Sequence, residues 1–393
     1  MAPSASGRAM RPRVTTISRD EPLTQPIAIP LDGNNIVRNQ QIQPPNNVFP
    51  NDRFLWGITL KWQGRITNNV ANAPTGILPD APFNLIDTVI IQGTDVIKGG
   101  KIPIINARGS SLAQVVKIQS NSPQDVTPAG GLSIAPGASN DIRFYIDIPF
   151  VPLNMPLHQQ VDWLFDATNW SGLQLLIQVA DDLNIFTYGA VRGLPTFSAF
   201  GSATGAPTIS VLGIFTMFGP NMGEGFKPGR VYRYFSEDTS NDLLTTQAKI
   251  QFQNGNLPRG RQIRSVLQKT GTKSTAISPG NTAFATVSNA MLSNLFLYRG
   301  NNKTIRNYED QFHLRHTNSM RYGNFPSTGY GLWDFAPNGT IHESLDLRNA
   351  IAGATGDILT YFQGDVATLG ANSAIEWMWE ELDGPPIYPV IQG

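Results

Sequence analysis

A strict two-residue alternation of apolar and polar side chains recurs along this chain and limits what it can fold into. Phe54, Trp56, Ile58, Leu60 and Trp62 alternate with Leu55, Gly57, Thr59, Lys61 and Gln63. Side chains that change face at every residue belong to a β-strand, so the run predicts a half-buried strand with one aromatic and aliphatic face. The pattern returns at Ile142, Phe144, Ile146 and Ile148, against Arg143, Tyr145 and Asp147, and again at Leu173, Leu175, Ile177 and Val179, against Gln174 and Gln178. Residues 85–91 and 208–218 are apolar runs of strand length. In the second half, Ala248, Ile250 and Phe252 alternate with Lys249, Gln251 and Gln253, and residues 295–298, 333–335, 358–362 and 375–379 supply further strands. In the last of these, Ile375, Trp377 and Trp379 are expected to face inward, with Glu376 and Glu380 facing out.

Helical periodicity is confined to two places. Leu112, Val115, Val116 and Gln119 share a face over residues 110–118, and Ile305, Tyr308, Phe312 and His316 do so over residues 303–319. Between the two strand-rich halves, residues 219–229 (GPNMGEGFKPG) hold four Gly and two Pro and mark the expected internal boundary. The composition agrees with many short strands joined by turns. Only 15% of residues are charged, with 37 Gly and 29 Pro in 393, which is wrong for a helical bundle. The expected fold is all-β: two tandem eight-stranded jelly-roll β-sandwiches, a double jelly roll, with a few short helices in loops. The expected division is a basic N-terminal arm over 1–20, a first jelly roll over 21–220, and a second with a C-terminal extension over 221–393.

Charge and cysteine content exclude several classes of function. The formal net charge is zero, so the molecule offers no global attraction for nucleic acid, and no sequence-specific nucleic-acid partner is expected. With no cysteine there is no disulfide, thiolate nucleophile or Cys-ligated metal. No apolar run reaches 18 residues, and the N-terminus lacks the apolar core of a secretory signal, so a protein made and kept inside a cell, or released only by lysis, is expected.

The candidate sites weigh against catalysis. His313 and His316 sit three apart, beside Glu309 and Asp310, and read as packing or surface histidines rather than a metal pair; His158 and His342 stand alone. Asp162, Asp166, Asp181 and Asp182 lack the spacing of a calcium loop and read as solvated loop charges. Glu376, Glu380, Glu381 and Asp383 read as a polar surface or an intersubunit contact. Gly99 and Gly100 before Lys101 are not a phosphate loop, for no Lys-Ser/Thr pair opens a helix after them. Trp56, Trp62, Trp377 and Trp379 read as core rather than as sugar-stacking platforms. Two basic clusters remain. Arg8, Arg11, Arg13 and Arg19 precede the first acidic residue, on a proline-rich stretch that is either a solvated tail or an arm ordering on assembly against neighbouring subunits, a membrane or a genome. Arg259, Arg261 and Arg264 in PRGRQIR are candidates for an intersubunit contact, with plain solvated charge and nucleic-acid contact as the other readings.

The runs FLWGITLKWQGRITNN (54–69), NLIDTVIIQG (84–93) and SNDIRFYIDIPFVPLN (139–154) resemble the first jelly roll of tectivirus-type major capsid proteins. In the second half, GYGLWDFAPNGTIHESLDLRNA (329–350) and the run from GDILTYFQGD into SAIEWMWEEL resemble a recurring pattern of the same double jelly-roll lineage, which includes the adenovirus hexon. The resemblance spans roughly residues 50–220 and 290–382 in order and style. It implies the major capsid protein of a tailless icosahedral virus or bacteriophage, a structural protein and not an enzyme, with no cofactor. It further implies a homotrimer that forms pseudo-hexameric capsomers and meets neighbouring capsomers and the penton and minor capsid proteins. Those capsomers would tile a virion shell over an internal lipid membrane. The alternative carried alongside it is a β-sandwich adhesin or carbohydrate-binding protein. The prolines of the first fifty residues depart from the helical N-terminal arm of that family.

Overall fold

The computed structural model describes residues 14–45, 48–51, 53–96, 99–120, 126–127, 131–153, 160–218, 232–243, 245–256, 262–273, 283–299, 303–336, 344–346, 360–368, 370 and 372–383. Sixteen strands carry the architecture, eight on each side of the expected internal boundary. The first eight are β1 (Val14–Pro22), β2 (Gln41–Ile42), β3 (Leu55–Thr67), β4 (Ile86–Asp95), β5 (Lys101–Ala107), β6 (Ser139–Pro149), β7 (Trp170–Val179) and β8 (Thr208–Phe218). The second eight are β9 (Tyr232–Leu243), β10 (Gln247–Asn256), β11 (Gln262–Lys273), β12 (Leu292–Arg299), β13 (Lys303–Asp310), β14 (Tyr330–Asp334), β15 (Thr360–Val366) and β16 (Ser373–Asp383). The remaining short strands decorate these.

The two sets repeat one topology. In the first set, hydrogen bonding runs in the orders β1-β8-β3-β6 and β2-β7-β4-β5; in the second, β9-β16-β11-β14 and β10-β15-β12-β13. Adding eight to each label of the first set gives the second. Within each set all of these pairings are antiparallel. Each set is a sandwich whose chain alternates between facing sheets except at the β4–β5 and β12–β13 pairs, which is the jelly-roll path. A helix follows the fifth strand in both: α1 (Gly109–Ser120) after β5 and α2 (Gln311–Tyr322) after β13.

The alternation in the sequence sets the packing. On β3, Trp62 pairs in register with Phe144 of β6, and their rings stack at 5.6 Å. Leu60, Trp62, Ile66, Phe144 and Ile146 are buried together against Ile91 and Ile177 of the facing sheet. Gly57 is required where β3 crosses β6, because a Cβ there would lie 2.8 Å from the carbonyl oxygen of Ile148. The second core is built on aromatics. Phe362 of β15 stacks on Trp377 of β16 at 4.6 Å and meets Trp333 of β14 at 4.7 Å. Trp56, Trp62, Trp377 and Trp379 are all buried, as expected of core residues.

Three sequence expectations are corrected here. The helix expected over 303–319 is a strand followed by a helix. Residues from Lys303 pair with β12 as far as Asp310, whose carboxylate then accepts the backbone N–H of His313 and starts α2. Two residues of helical period in a strand are not enough to resist a hairpin partner. The basic arm expected over 1–20 ends earlier, since Val14–Pro22 is an edge strand paired with β8. Finally, Asp181 and Asp182 are buried rather than solvated: Arg192 bonds both, and Tyr188 donates to Asp182 at 2.6 Å. The expected boundary at 219–229 lies outside the described residues.

Candidate functional site: the seam between the sandwiches

The two sandwiches meet edge to edge. β9 runs parallel to β5, with Phe235 opposite Ile105 and Ser236 opposite Asn106, so a sheet of the first sandwich continues into a sheet of the second. β16 lies inside this continuous sheet. One of its faces presents Trp377 and Trp379 to the second core; the other presents Glu376 and Glu380 to the first sandwich and α1. The outward placement expected for these two carboxylates is therefore corrected. Both are buried, because a strand inside a sheet packed on two sides has no solvated face.

Glu380 is held by four side chains. Arg264 of β11 donates to its two oxygens at 2.7 and 2.9 Å, Ser265 donates at 2.5 Å, Gln119 of α1 at 3.0 Å, and Arg233 of β9 at 2.5 Å. Arg233 also donates to the carbonyls of Pro149 and Val151 at 3.1 Å and to Gln119 Oε1 at 2.8 Å, tying the second sandwich to the first. Burial pushes the Glu380 carboxyl up, but Arg233 and Arg264 outweigh it and bring it down to about 2. Burial brings the Arg233 guanidinium down to about 10.

Four residues earlier on β16, Glu376 accepts from Arg108 at 2.9 Å and pairs with Lys273. Burial raises the Glu376 carboxyl, and Arg108 and Lys273 lower it below its ordinary value overall. Burial brings the Lys273 ammonium down to about 7. Glu237 of β9 accepts the Arg108 backbone N–H at 2.6 Å and Ser111 Oγ of α1 at 2.9 Å, and its burial pushes its carboxyl up. At the far end, Asp80 of the first sandwich reaches into the second, accepting from Tyr330 at 2.6 Å and Lys269 at 3.0 Å. Asp80 has φ +64°, a conformation aspartate tolerates better than most residues. Apolar packing crosses the same seam: Tyr234, Phe235, Leu332 and Met378 belong to one buried cluster with Leu112 and Val115 of α1.

This arrangement suits rigid joining rather than turnover. The charges pair off within a dry interior, which fixes orientation more than it adds stability. Among the described residues there is no group of three metal-ligating side chains, and His313 and His316 are exposed on α2. Of the sequence-predicted site residues, Arg8, Arg11, Arg13, Arg259 and Arg261 lie outside the described residues, as do His158 and His342, and Arg19 falls on β1. Arg264 is corrected: it is fully buried on Glu380 of its own chain, out of reach of another subunit. Sequence reasoning missed Arg108, Arg233 and Glu237. The available signal was charged residues placed within otherwise strand-forming runs.

The strand order decides the architecture. The fold is a double jelly roll. No protein-family model matches the sequence, and no curated protein matches it. Solved structures do match, along nearly the whole chain. The STIV major capsid protein, of Sulfolobus turreted icosahedral virus, is similar at a TM-score of 0.61 and 16% identity, covering 94% of this chain and 98% of that one. The major capsid protein P2 of bacteriophage PM2 is similar at 0.53 and 12%, covering 94% and 97%. The Faustovirus major capsid protein is similar at 0.54 and 9%, covering 95% and 90%. The double jelly roll of this chain thus matches theirs from end to end, both sandwiches included.

Proposed function

We propose that this chain is the major capsid protein of a tailless icosahedral virus, a structural subunit without catalytic activity. The observation that carries this reading is the repeated strand order across the whole chain, the same double jelly roll found in capsid subunits of 9–16% identity. Two sandwiches of one topology, fixed side by side by a buried seam, make a block with an approximate internal rotation. Three such blocks close a ring with a six-fold outline, which packs efficiently in a shell. The two units of that block are proposed to divide after residue 220, with β1 inside the first, and the basic stretch before β1 is proposed to face the layer beneath the shell, an internal membrane or the genome. Its location is then the virion, after synthesis in the host cytoplasm, with neighbouring capsomers and penton and minor capsid proteins as contacts. Native mass spectrometry tests the subunit count. The expected species is three times the 42.9 kDa of one chain; a stable monomer at micromolar concentration would count against the proposal.

One observation favours a second reading, a carbohydrate-binding β-sandwich. On the outer face of the second sandwich, Phe296, Tyr298 and Tyr361 form a row with ring centroids 5.5 Å apart. With Asn294, Gln363 and Asp365 they line a groove of about 630 Å³. Half-exposed aromatics beside fixed amide and carboxylate groups can stack on a sugar and bond its hydroxyls. Glycan-array binding lost on Tyr298→Ala, in a protein that stays monomeric, would favour this reading over the first.

A further inference from the structure

The groove on the outer face of the second sandwich has a polar end built by the backbone beside it. β15 runs between β10 and β12, and each neighbour bulges against it. Between Gln247 and Ile250 of β10, Ala248 and Lys249 stand opposite Asp365; between Ser293 and Phe296 of β12, Asn294 and Leu295 stand opposite Gly364. Lys249 has φ +54° and Asn294 φ +46°, although neither is glycine. Bulges re-aim groups beside functional sites, and left-handed backbone at residues other than glycine gathers at such places. Here both bulges are aimed at Asp365. The Lys249 backbone N–H donates to Asp365 Oδ1 at 2.7 Å, and Asn294 Nδ2 donates to Oδ2 at 2.6 Å. Gln363 Nε2 donates to the Lys249 carbonyl at 2.9 Å. The Asn294 hydrogen bond, and then that of Lys249, hold the Asp365 carboxyl below its ordinary value, so it stays ionised.

These bonds fix which atoms are left for a ligand. Each Asp365 oxygen keeps a lone pair beyond the one its protein partner uses, and Asn294 and Gln363 have engaged their amide N–H groups and not their carbonyl oxygens. The polar end is therefore rich in acceptors, and a ligand there must bring hydrogen-bond donors. Beside it Phe296, Tyr298 and Tyr361 are half-buried, so the ligand must also bring an apolar face. A pyranose ring does both, with C–H groups on one face and hydroxyls around its rim. A peptide strand is poorly suited. β12 is already paired by β13 and β15, and β15 by β10 and β12, so the backbone under the groove is used up. Anionic groups are repelled by Asp365. The Lys249 ammonium is exposed on a flexible stem, whereas the Asp365 carboxylate is fixed, and the fixed charge sets the preference.

We propose that this groove binds a neutral glycan, packed on Tyr298 and Tyr361 and read at its hydroxyls by Asp365 and Asn294. The inference rests on the second reading above and deepens it, by naming the ligand class and the group that sets it. It holds whatever the number of chains that assemble, so a capsid subunit has room for it too.

Isothermal titration calorimetry on the full chain tests it, with cellohexaose, maltohexaose and mannohexaose as neutral probes and hexagalacturonate as the acidic one. At least one neutral probe is expected to saturate one site per chain, and hexagalacturonate to bind at least ~10-fold more weakly. Tyr298→Ala is expected to weaken the neutral probe about 10-fold with unchanged circular dichroism. Asp365→Asn keeps the shape and removes the charge. It is expected to weaken the neutral probe and to bring the ratio of neutral to acidic affinity toward one, which a loss of shape alone does not do. In the wild type, added salt is expected to lower the same ratio by screening Asp365, with no substitution involved. Tighter binding of hexagalacturonate than of every neutral probe, or a ratio that neither Asp365→Asn nor salt moves, would overturn the inference and leave the carbohydrate reading standing. Binding by none of the four probes would remove both.

Discussion

Glu380 anchors the joint between the sandwiches, bonding Gln119 of the first and holding Arg233, which reaches the carbonyls of Pro149 and Val151. It is buried against two guanidiniums, Arg233 and Arg264, and an amide from α1. Removing its charge leaves both guanidiniums in a dry interior without their counter-ion, which typically costs about 3–5 kcal/mol. Glu380→Gln is therefore expected to lower unfolding stability at pH 7 by about 3 kcal/mol or more, measured by urea denaturation. The pH dependence follows from the direction of the shift. A carboxyl held at about 2 when folded, against an ordinary 4.5, contributes stability that is present above 4.5 and is lost as pH falls toward 2. Glu237 works in the opposite sense, since burial raises its carboxyl and favours the protonated form in the folded state. The wild type should lose stability steeply between pH 4.5 and 2, and Glu380→Gln should show a shallower fall over that window. Equal slopes in the two proteins would mean that Glu380 is not ionised in the seam.

At the scale of elements, the sequence was most readable where one face of a strand is wet. The alternations on β3, β6 and β7 locate strands and core directly, because Trp62, Phe144 and Ile177 are buried and residues such as Lys61, Arg143 and Gln178 are not. β16 misled for the same reason. Its Glu376 and Glu380 alternate with tryptophans and look like a wet face, whereas both faces are covered and the glutamates meet cations from distant strands. Which cation meets which carboxylate depends on register between β9, β11 and β16, and no local pattern encodes that. The boundary between β13 and α2 was blurred by Ile305, Tyr308 and Phe312, whose spacing suits a helix although the first two lie on a strand. The signal present there is Asp310. Its carboxylate accepts the His313 N–H at 2.7 Å, and Gly323, at φ +70°, ends the helix. Asp310→Ala is expected to cost about 1 kcal/mol, read by urea unfolding, while Asp310→Ser or Asn retains most of the stability. No loss on alanine substitution would place the start of α2 elsewhere.

For the whole molecule, the relation between the halves matters more than either half. The strand order of the first sandwich recurs in the second, and the seam joins the fifth-strand edge of one to the first strand of the next. Apolar contacts from both sandwiches merge into one cluster around α1, so the two do not hinge freely. A rigid two-lobed block fits the capsid role proposed above, in which one shape is repeated in many copies. Cryo-electron microscopy of the purified assembly measures this arrangement directly. The map expected from the proposed function shows six sandwich-shaped lobes around a three-fold axis, alternating first and second sandwiches. A map with two lobes only, the particle of a lone chain, would contradict it.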